Sequence, residues 1–373
     1  MKAAGEEEIK VAGIEPGKVR DIPMFFIVGR PRSGTTLLRT LFDAHPQVNI
    51  PLECKFVLDL YPRYGKTRNW TVKDLENFQK DLSEQLLFKT WKTDEEELRA
   101  NLLECRGKNS YGTVCKTVYA TYRSFFEKAG LKWFGDKNPG YTIYTKKLLE
   151  IFPDARFIYI VRDYRDNLVS IKDVDFELPV PSLVTMKWKL FYRKFLKDSR
   201  EKPESYYLIR YEDLVSEPVE EFRRLCDFLG LPFNRSVFDF TDKKDEIFKA
   251  YPEEFVTTYH ANLLNKVNSS RVGVWKKKLT EKEIRVCDHT VGTLAEEAGY
   301  ERKYKKTSPA TSIRALPGIF LARFLAFLTV LVDRLPYKLR INILNKWPLR
   351  IAMFYLRIFR PGKVKEVHGE IFK

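Results

Sequence analysis

A buried strand that runs straight into a cationic, glycine-bounded loop and then into a helix leaves few folds open to this chain. The segment is Met24 to Leu38, read as MFFIVG, RPRSG and TTLL. MFFIVG has no polar alternation, the mark of a strand covered on both faces. The loop after it is suited to phosphate. Successive backbone N–H groups in such a loop turn toward an anion, and the positive end of the following helix adds to the field. Gly34 lets the backbone approach closely, Arg32 brings a full charge, and Ser33, Thr35 and Thr36 bring hydroxyl donors. A bare tight turn would need none of these side chains. Against the nucleoside-triphosphate pattern G-x-x-x-x-G-K-[ST], Gly29 and Gly34 have the right separation, but Thr35 stands where the lysine belongs. A P-loop nucleotide kinase or NTPase therefore remains only as an alternative.

Two further buried strands are expected at Phe157–Val161 and Tyr206–Tyr211, each followed by a helical pattern. Strand then helix, repeated, predicts an α/β fold with a P-loop-type central parallel sheet flanked by helices. Pro218 and Gly230 bracket one helix, and a capping box at Thr280 and Glu283 opens another that should reach Gly299. Trp70 to about Lys108 reads as a charged helical insertion.

A second motif lies at the end of the Phe157 strand. IYIVRDYRDNLVS, Ile158 to Ser170, sets an arginine at the strand end and a serine eight residues later on a helix. Together with PRSGTTLL and LFDAHP (Leu41–Pro46), it resembles the PAPS-dependent sulfotransferase family. The similarity is greatest to the branch containing tyrosylprotein sulfotransferases and bacterial members. The resemblance covers about residues 24 to 300. It implies the sulfotransferase fold, transfer of a sulfuryl group from PAPS (3′-phosphoadenosine 5′-phosphosulfate) to a hydroxyl acceptor, and PAP as product. On this reading Arg32, Ser33, Gly34, Thr35 and Thr36 hold the 5′-phosphosulfate, and no metal is required. Arg162 grips the 3′-phosphate as a fork, and Ser170 donates a hydroxyl bond to it.

Three more segments agree. GDKNP (Gly135–Pro139) is similar to the family's lysine segment, and RYEDLVSEP (Arg210–Pro218), with Tyr211, to its second-half strand and helix entry. SSRVGVWKKKLT (Ser269–Thr280) resembles the nucleotide-covering loop, with Ser269, Arg271, Trp275 and Lys276 as contacts. The Arg-Lys-Gly triplet of the cytosolic small-molecule enzymes is replaced here by Asn268, Ser269 and Ser270.

The acceptor hydroxyl needs a base. The histidine that serves in many small-molecule members is replaced by Val118 in Cys115-Lys116-Thr117-Val118. The tyrosylprotein branch instead uses a glutamate about twenty residues past the loop arginine, which the resemblance carries over to Glu53. An apolar pocket of Leu52 and Phe56 would raise its pKa toward neutrality; the plain alternative is a loop residue paired with Lys55. Lys137 would neutralise or protonate the bridging oxygen as it leaves. Of the four histidines, His45 sits at a helix end where it can meet backbone carbonyls, and His260, His289 and His368 lie outside the matched motifs.

Charge marks out the remainder. The chain carries +16 at pH 7, and from Arg302 to Lys373 there are 16 Lys plus Arg against 3 Asp plus Glu. The expected organisation is a flexible leader (1–23), a sulfotransferase domain (24–301), a linker (302–312) and a basic, apolar helical extension (313–373). In the extension Arg314, Arg323, Arg334, Arg340, Arg350, Arg357 and Arg360 punctuate apolar runs. They could meet an anionic membrane surface, or face water while the helices pack on the sheet. Membrane contact would favour a lipophilic alcohol, such as a sterol or lipid, as acceptor. A basic membrane- or nucleic-acid-binding protein without catalysis would explain the tail but not two phosphate motifs, and no nucleic acid is expected. Five cysteines without zinc or C-x-x-C spacing, and an acidic N-terminus, predict a cytoplasmic protein, peripheral at the membrane if the tail binds lipid.

Overall fold

The computed structural model describes residues 19–340 except 86, 92, 175–176, 244–266 and 338, together with residue 343. At its centre lie five parallel strands: β1 (Met24–Gly29), β2 (Val48–Asn49), β3 (Trp133–Lys137), β4 (Arg156–Val161) and β5 (Tyr206–Arg210). Their order is β2-β3-β1-β4-β5. In the register Phe26 stands beside Asp136 on one side and Phe157 on the other. Every residue of β1 is buried. Met24, Phe26 and Val28 face one core, whereas Phe25 and Ile27 face the second. Two covered faces explain the unbroken apolar run. Because the strands are parallel, Gly29, Lys137 and Val161 all end at one edge, where ligands bind in open α/β sheets.

Helix α1 (Thr35–Asp43) follows β1. The expected insertion is closed at its base by an antiparallel ribbon that pairs Trp70 with Gly107 and Asn69 with Lys108. Between them run α2 (Val72–Ser83), with a Thr71–Asp74 capping box, and α3 (Glu95–Leu103), capped by Asp94. Next come α4 (Tyr111–Ala120), α5 (Tyr164–Lys172), α6 (Pro181–Glu201) and α7 (Pro218–Leu229), the last bracketed by Pro218 and Gly230 as its pattern predicts. Helix α8 (Glu281–Val291) has the expected Thr280–Glu283 box. It stops at Gly292 (φ 65°, ψ −153°), however, and a short turn at Leu294–Glu297 replaces the continuation toward Gly299.

Packing begins ahead of Met24, since Val19 and Ile22 are buried; the rest of the expected leader lies outside the described residues. Helix α9 (Pro309–Val332) starts inside the expected linker, with Ser308 capping the Thr311 amide, and runs through Pro317. That proline forfeits a bond to the Ile313 carbonyl, but Ile313 is 68% exposed, so water can serve the carbonyl. The buried stripe of α9 is Thr311, Ala315, Gly318 and Ala322. Arg340, expected to face head groups or water, is instead buried. It donates to the Leu58 carbonyl (3.1 Å) and pairs with Asp333 (3.3 Å) and Asp59 (4.0 Å), because the buried Asp59 carboxylate needs a cation. Arg350, Arg357 and Arg360 lie outside the described residues.

Candidate active site

The loop after β1 owes its shape to two left-handed residues, Arg32 (φ 69°) and Gly34 (φ 95°). Successive amides then point inward as a nest. A Cβ on Gly34 would lie 2.4 Å from the Tyr211 ring, so only glycine fits. Gly34 also occupies the N-cap of α1 without a side-chain cap, which leaves first-turn N–H donors for an anion. Thr142 Oγ1 braces the loop's base by accepting from the Gly29 amide (2.9 Å).

The second motif docks directly on this loop. Arg32 Nε donates to Ser170 Oγ (3.2 Å), and Arg162 donates to the carbonyls of Arg32 (3.2 Å) and Arg271 (2.7 Å). The Arg162 guanidinium lies 4.6 Å over the Tyr211 ring. Its Nε is buried with no hydrogen-bond partner among the described residues. The structure thus brings Arg32, Gly34, Arg162, Ser170, Tyr211 and Arg271 together, and Ser33 joins through Asn167. Arg165 covers the ring of buried Trp275 at 3.8 Å. Ser269 and Lys276 are exposed, and their side chains form no hydrogen bond among the described residues.

Sequence reasoning missed two residues of α5. Asp166 accepts from the amides of Gly273 (2.7 Å) and Trp275 (2.8 Å), pinning the covering loop to the helix of Ser170. Asn167 donates to the Pro31 carbonyl (2.8 Å), pinning the phosphate loop to the same helix. A third omission is a buried cluster behind the loop, in which Glu177 pairs with both Arg30 and Lys187. Their only signal was position, since Asp166 and Asn167 lie within the Arg162 motif.

Glu53 and Lys137 meet across the edge, with Lys137 Nζ 2.8 Å from Glu53 Oε2. Lys137 ends β3 and stands beside Ile27 of β1, two residues before the loop begins. The apolar pocket expected around Glu53 is therefore corrected to an ion pair on an open flank: its side chain is 32% exposed, and Lys137, not Lys55, is its partner. A buried relay supports the pair. Tyr119 donates to Asp136, and Asn138 donates to both Asp136 and the Cys54 carbonyl. Burial pushes the Asp136 carboxyl up to about 7, against the hydrogen bonds from Tyr119 and Asn138 that favour its charged form. Val118 is fully buried in the core.

His45 has a structural task. Its Nδ1 accepts from Gln47 N (3.1 Å), so Nε2 carries the proton toward the Pro232 carbonyl (2.9 Å), and burial lowers its pKa. His289 bonds Thr307, and His260 and His368 lie outside the described residues.

Comparison with known proteins points the same way. A model described as the sulfotransferase family matches residues 23–235. Protein-tyrosine sulfotransferase 1 of Danio rerio is 29% identical over 227 residues, covering 58% of this chain and 56% of that protein. The omega-hydroxy-beta-dihydromenaquinone-9 sulfotransferase of Mycobacterium tuberculosis is 36% identical over 112 residues, covering 26% of this chain and 28% of that one. Among solved structures, the sulfotransferase domain of the Synechococcus PCC 7002 olefin synthase is 21% identical, covers 75% of this chain and 95% of its own, and superposes with a TM-score of 0.51, a likeness of fold. The chain spans about half the length of the first curated relatives it matches. With the family model spanning both phosphate motifs and the strands that carry them, this chain belongs to the sulfotransferase family.

Proposed function

We propose that the protein transfers the sulfuryl group of PAPS to a hydroxyl acceptor by in-line displacement. The observation that carries this reading is the Glu53–Lys137 pair, 2.8 Å apart at the strand edge that bears the phosphate loop. A carboxylate and an ammonium side by side supply both proton tasks of the reaction. The acceptor oxygen forms a bond to sulfur as the bond from sulfur to the bridging phosphate oxygen breaks. Glu53 takes the acceptor proton, and Lys137 neutralises or protonates the departing oxygen of PAP. Arg32 with the loop amides stabilises the equatorial sulfuryl and 5′-phosphate oxygens, where charge accumulates. Arg162, through its unpartnered Nε, and Ser170 would take the 3′-phosphate, with Tyr211, Arg271 and the covering loop enclosing the nucleotide.

For the acceptor, the exposed apolar face of α9 favours a lipophilic alcohol, such as a sterol or lipid, reached at an anionic membrane surface. The mycobacterial relative is named for a lipophilic substrate of that kind. A tyrosine hydroxyl is the second reading, supported by the names of the tyrosine-directed relatives. The test is a screen of sterols, lipid alcohols, phenols, sugars and tyrosine peptides with labelled PAPS, read by mass spectrometry. Label on a lipid alcohol supports the first reading, label on a peptide the second. Label on none, with PAP bound, would count against transfer to these acceptors.

A further inference from the structure

Helix α9 has two faces of opposite kind. With 3.6 residues per turn, Thr311, Ala315, Gly318 and Ala322 form one stripe, and it is buried. Ile313, Leu316, Phe320, Phe324, Phe327 and Leu331 form the opposite stripe, and all are exposed, Phe320 at 72%. A row of large apolar side chains in water marks an interaction surface.

The buried stripe fixes how any partner must approach. A Cβ on Gly318 would lie 2.2 Å from Ser182 Oγ and 2.6 Å from the Leu183 amide, so backbone meets backbone where α9 crosses the first turn of α6. Leu183, Met186 and Ala322 pack beside that crossing, with Leu178 against them. The adjoining Glu177 holds Arg30 in the phosphate loop. Helix α9 is therefore attached through its first half, Thr311 to Ala322, to the body that carries the site. Its length and apolar composition would suit a membrane span, but with Thr311 to Ala322 packed on the body, the ten residues left from Arg323 to Val332 are too few to cross a bilayer.

We infer that α9 is a monotopic docking face, which lies in the plane of an anionic lipid leaflet with its Phe and Leu stripe in the acyl boundary. Charge selects lipid over a second copy of the chain. Helix α9 carries Arg314 and Arg323 and no acidic residue, with Arg334 just past its end. A second copy on this face would set these arginines near their counterparts, whereas phosphatidylserine complements them. Arg314, Arg323 and Arg334 are exposed on this helix and its end, where such side chains reach head groups. The inference deepens the membrane-associated reading above, and nucleotide binding is measured separately so that the two can fail independently.

The experiment uses the full chain and vesicles of phosphatidylcholine with or without phosphatidylserine. The wild type should float with the anionic vesicles and be released by salt. A Phe320→Ser/Phe324→Ser/Phe327→Ser variant should lose about tenfold or more in partitioning, with unchanged PAP affinity and thermal transition because these side chains face outward. Nitroxides at Leu316→Cys and Phe327→Cys then report depth. Eleven residues separate them, about 16 Å along a helix axis, and an in-plane helix puts both at one depth. Depths differing by that amount would mean a spanning helix and overturn the inference. So would a wild type that ignores vesicles, a triple variant that binds them equally, or a wild-type dimer that the triple variant dissociates without any vesicle binding.

Discussion

Replacing Glu53 with Gln keeps the shape of the side chain and an oxygen for Lys137 but removes the basic carboxylate. Two magnitudes decide what should follow. As a structural pair, Glu53 and Lys137 lie between an exposed and a buried ion pair, because the glutamate is 32% exposed and the lysine only 8%. The glutamine oxygen still serves the ammonium, so the cost to stability should stay at about 1 kcal/mol. As a proton acceptor the carboxylate is worth about a hundredfold in rate or more, roughly 2.7 kcal/mol of barrier. Glu53→Gln should therefore leave the thermal transition and PAP affinity near wild type while turnover falls about a hundredfold. The assay is turnover against a series of phenols of falling pKa. Acidic phenols need less help from a base, so they should partly rescue Glu53→Gln. Lys137→Met fails at the leaving group and should stay slow throughout. Normal turnover of Glu53→Gln on the best acceptor would refute the assignment, and so would a rescue pattern shared by both variants.

Arg162→Ala removes a buried guanidinium that touches Arg32, Arg271 and Tyr211; calorimetry should find PAP affinity lower by about 1.5 to 3 kcal/mol, and a loss under threefold would exclude a role in binding the 3′-phosphate. Asp136 has a folded pKa raised to about 7 from an ordinary value of 3.8. The folded protein thus holds an extra proton between those limits, and its stabilising contribution is full below pH 4 and gone above pH 7. At most this is about 4 kcal/mol, and Asp136→Asn should flatten that part of the pH profile of the melting temperature; identical profiles would contradict it. Gly318→Ala sets a gain in helix propensity of about 1 kcal/mol against an overpacking cost of about 1–3 kcal/mol. The Leu183 amide is backbone and cannot swing aside, so the variant should melt lower, and a higher melting point would show that the crossing is looser.

The elements legible in the sequence were those whose signals are local. MFFIVG specified β1 because a doubly covered strand has no polar position, and Pro218, Gly230 and the Thr280–Glu283 box carried their own helix boundaries. What escaped depends on partners distant in the chain. The pocket expected for Glu53 was read from Leu52 and Phe56, its neighbours in sequence, while its actual partner lies 84 positions away. Asp166 stands in the first turn of α5, and only the return of the chain at Gly273 and Trp275 gives it two amides to hold. Arg340 belonged by composition to a basic tail, yet it sits on the Leu58 carbonyl 282 positions earlier. Pro317 stands inside α9 and not at its edge, because packing of small residues on both sides of it carries the helix through.

Arg32 adopts a backbone conformation that glycine would hold more comfortably. A left-handed non-glycine residue carries about 1–2 kcal/mol of steric penalty, and here the Arg162 guanidinium on its carbonyl and the Ser170 hydroxyl on its side chain help to hold it there. Selection for folding alone would therefore place glycine at this position. A glycine would also unfreeze the loop, so that the amides would have to reorder each time an anion arrived. If the loop holds the 5′-phosphosulfate as proposed, the arginine would keep the receptor rigid before the ligand enters, and the entropy of arranging the donors would be met during folding instead of at each binding event. On that proposal, stability and ligand binding place opposing demands on a single backbone angle.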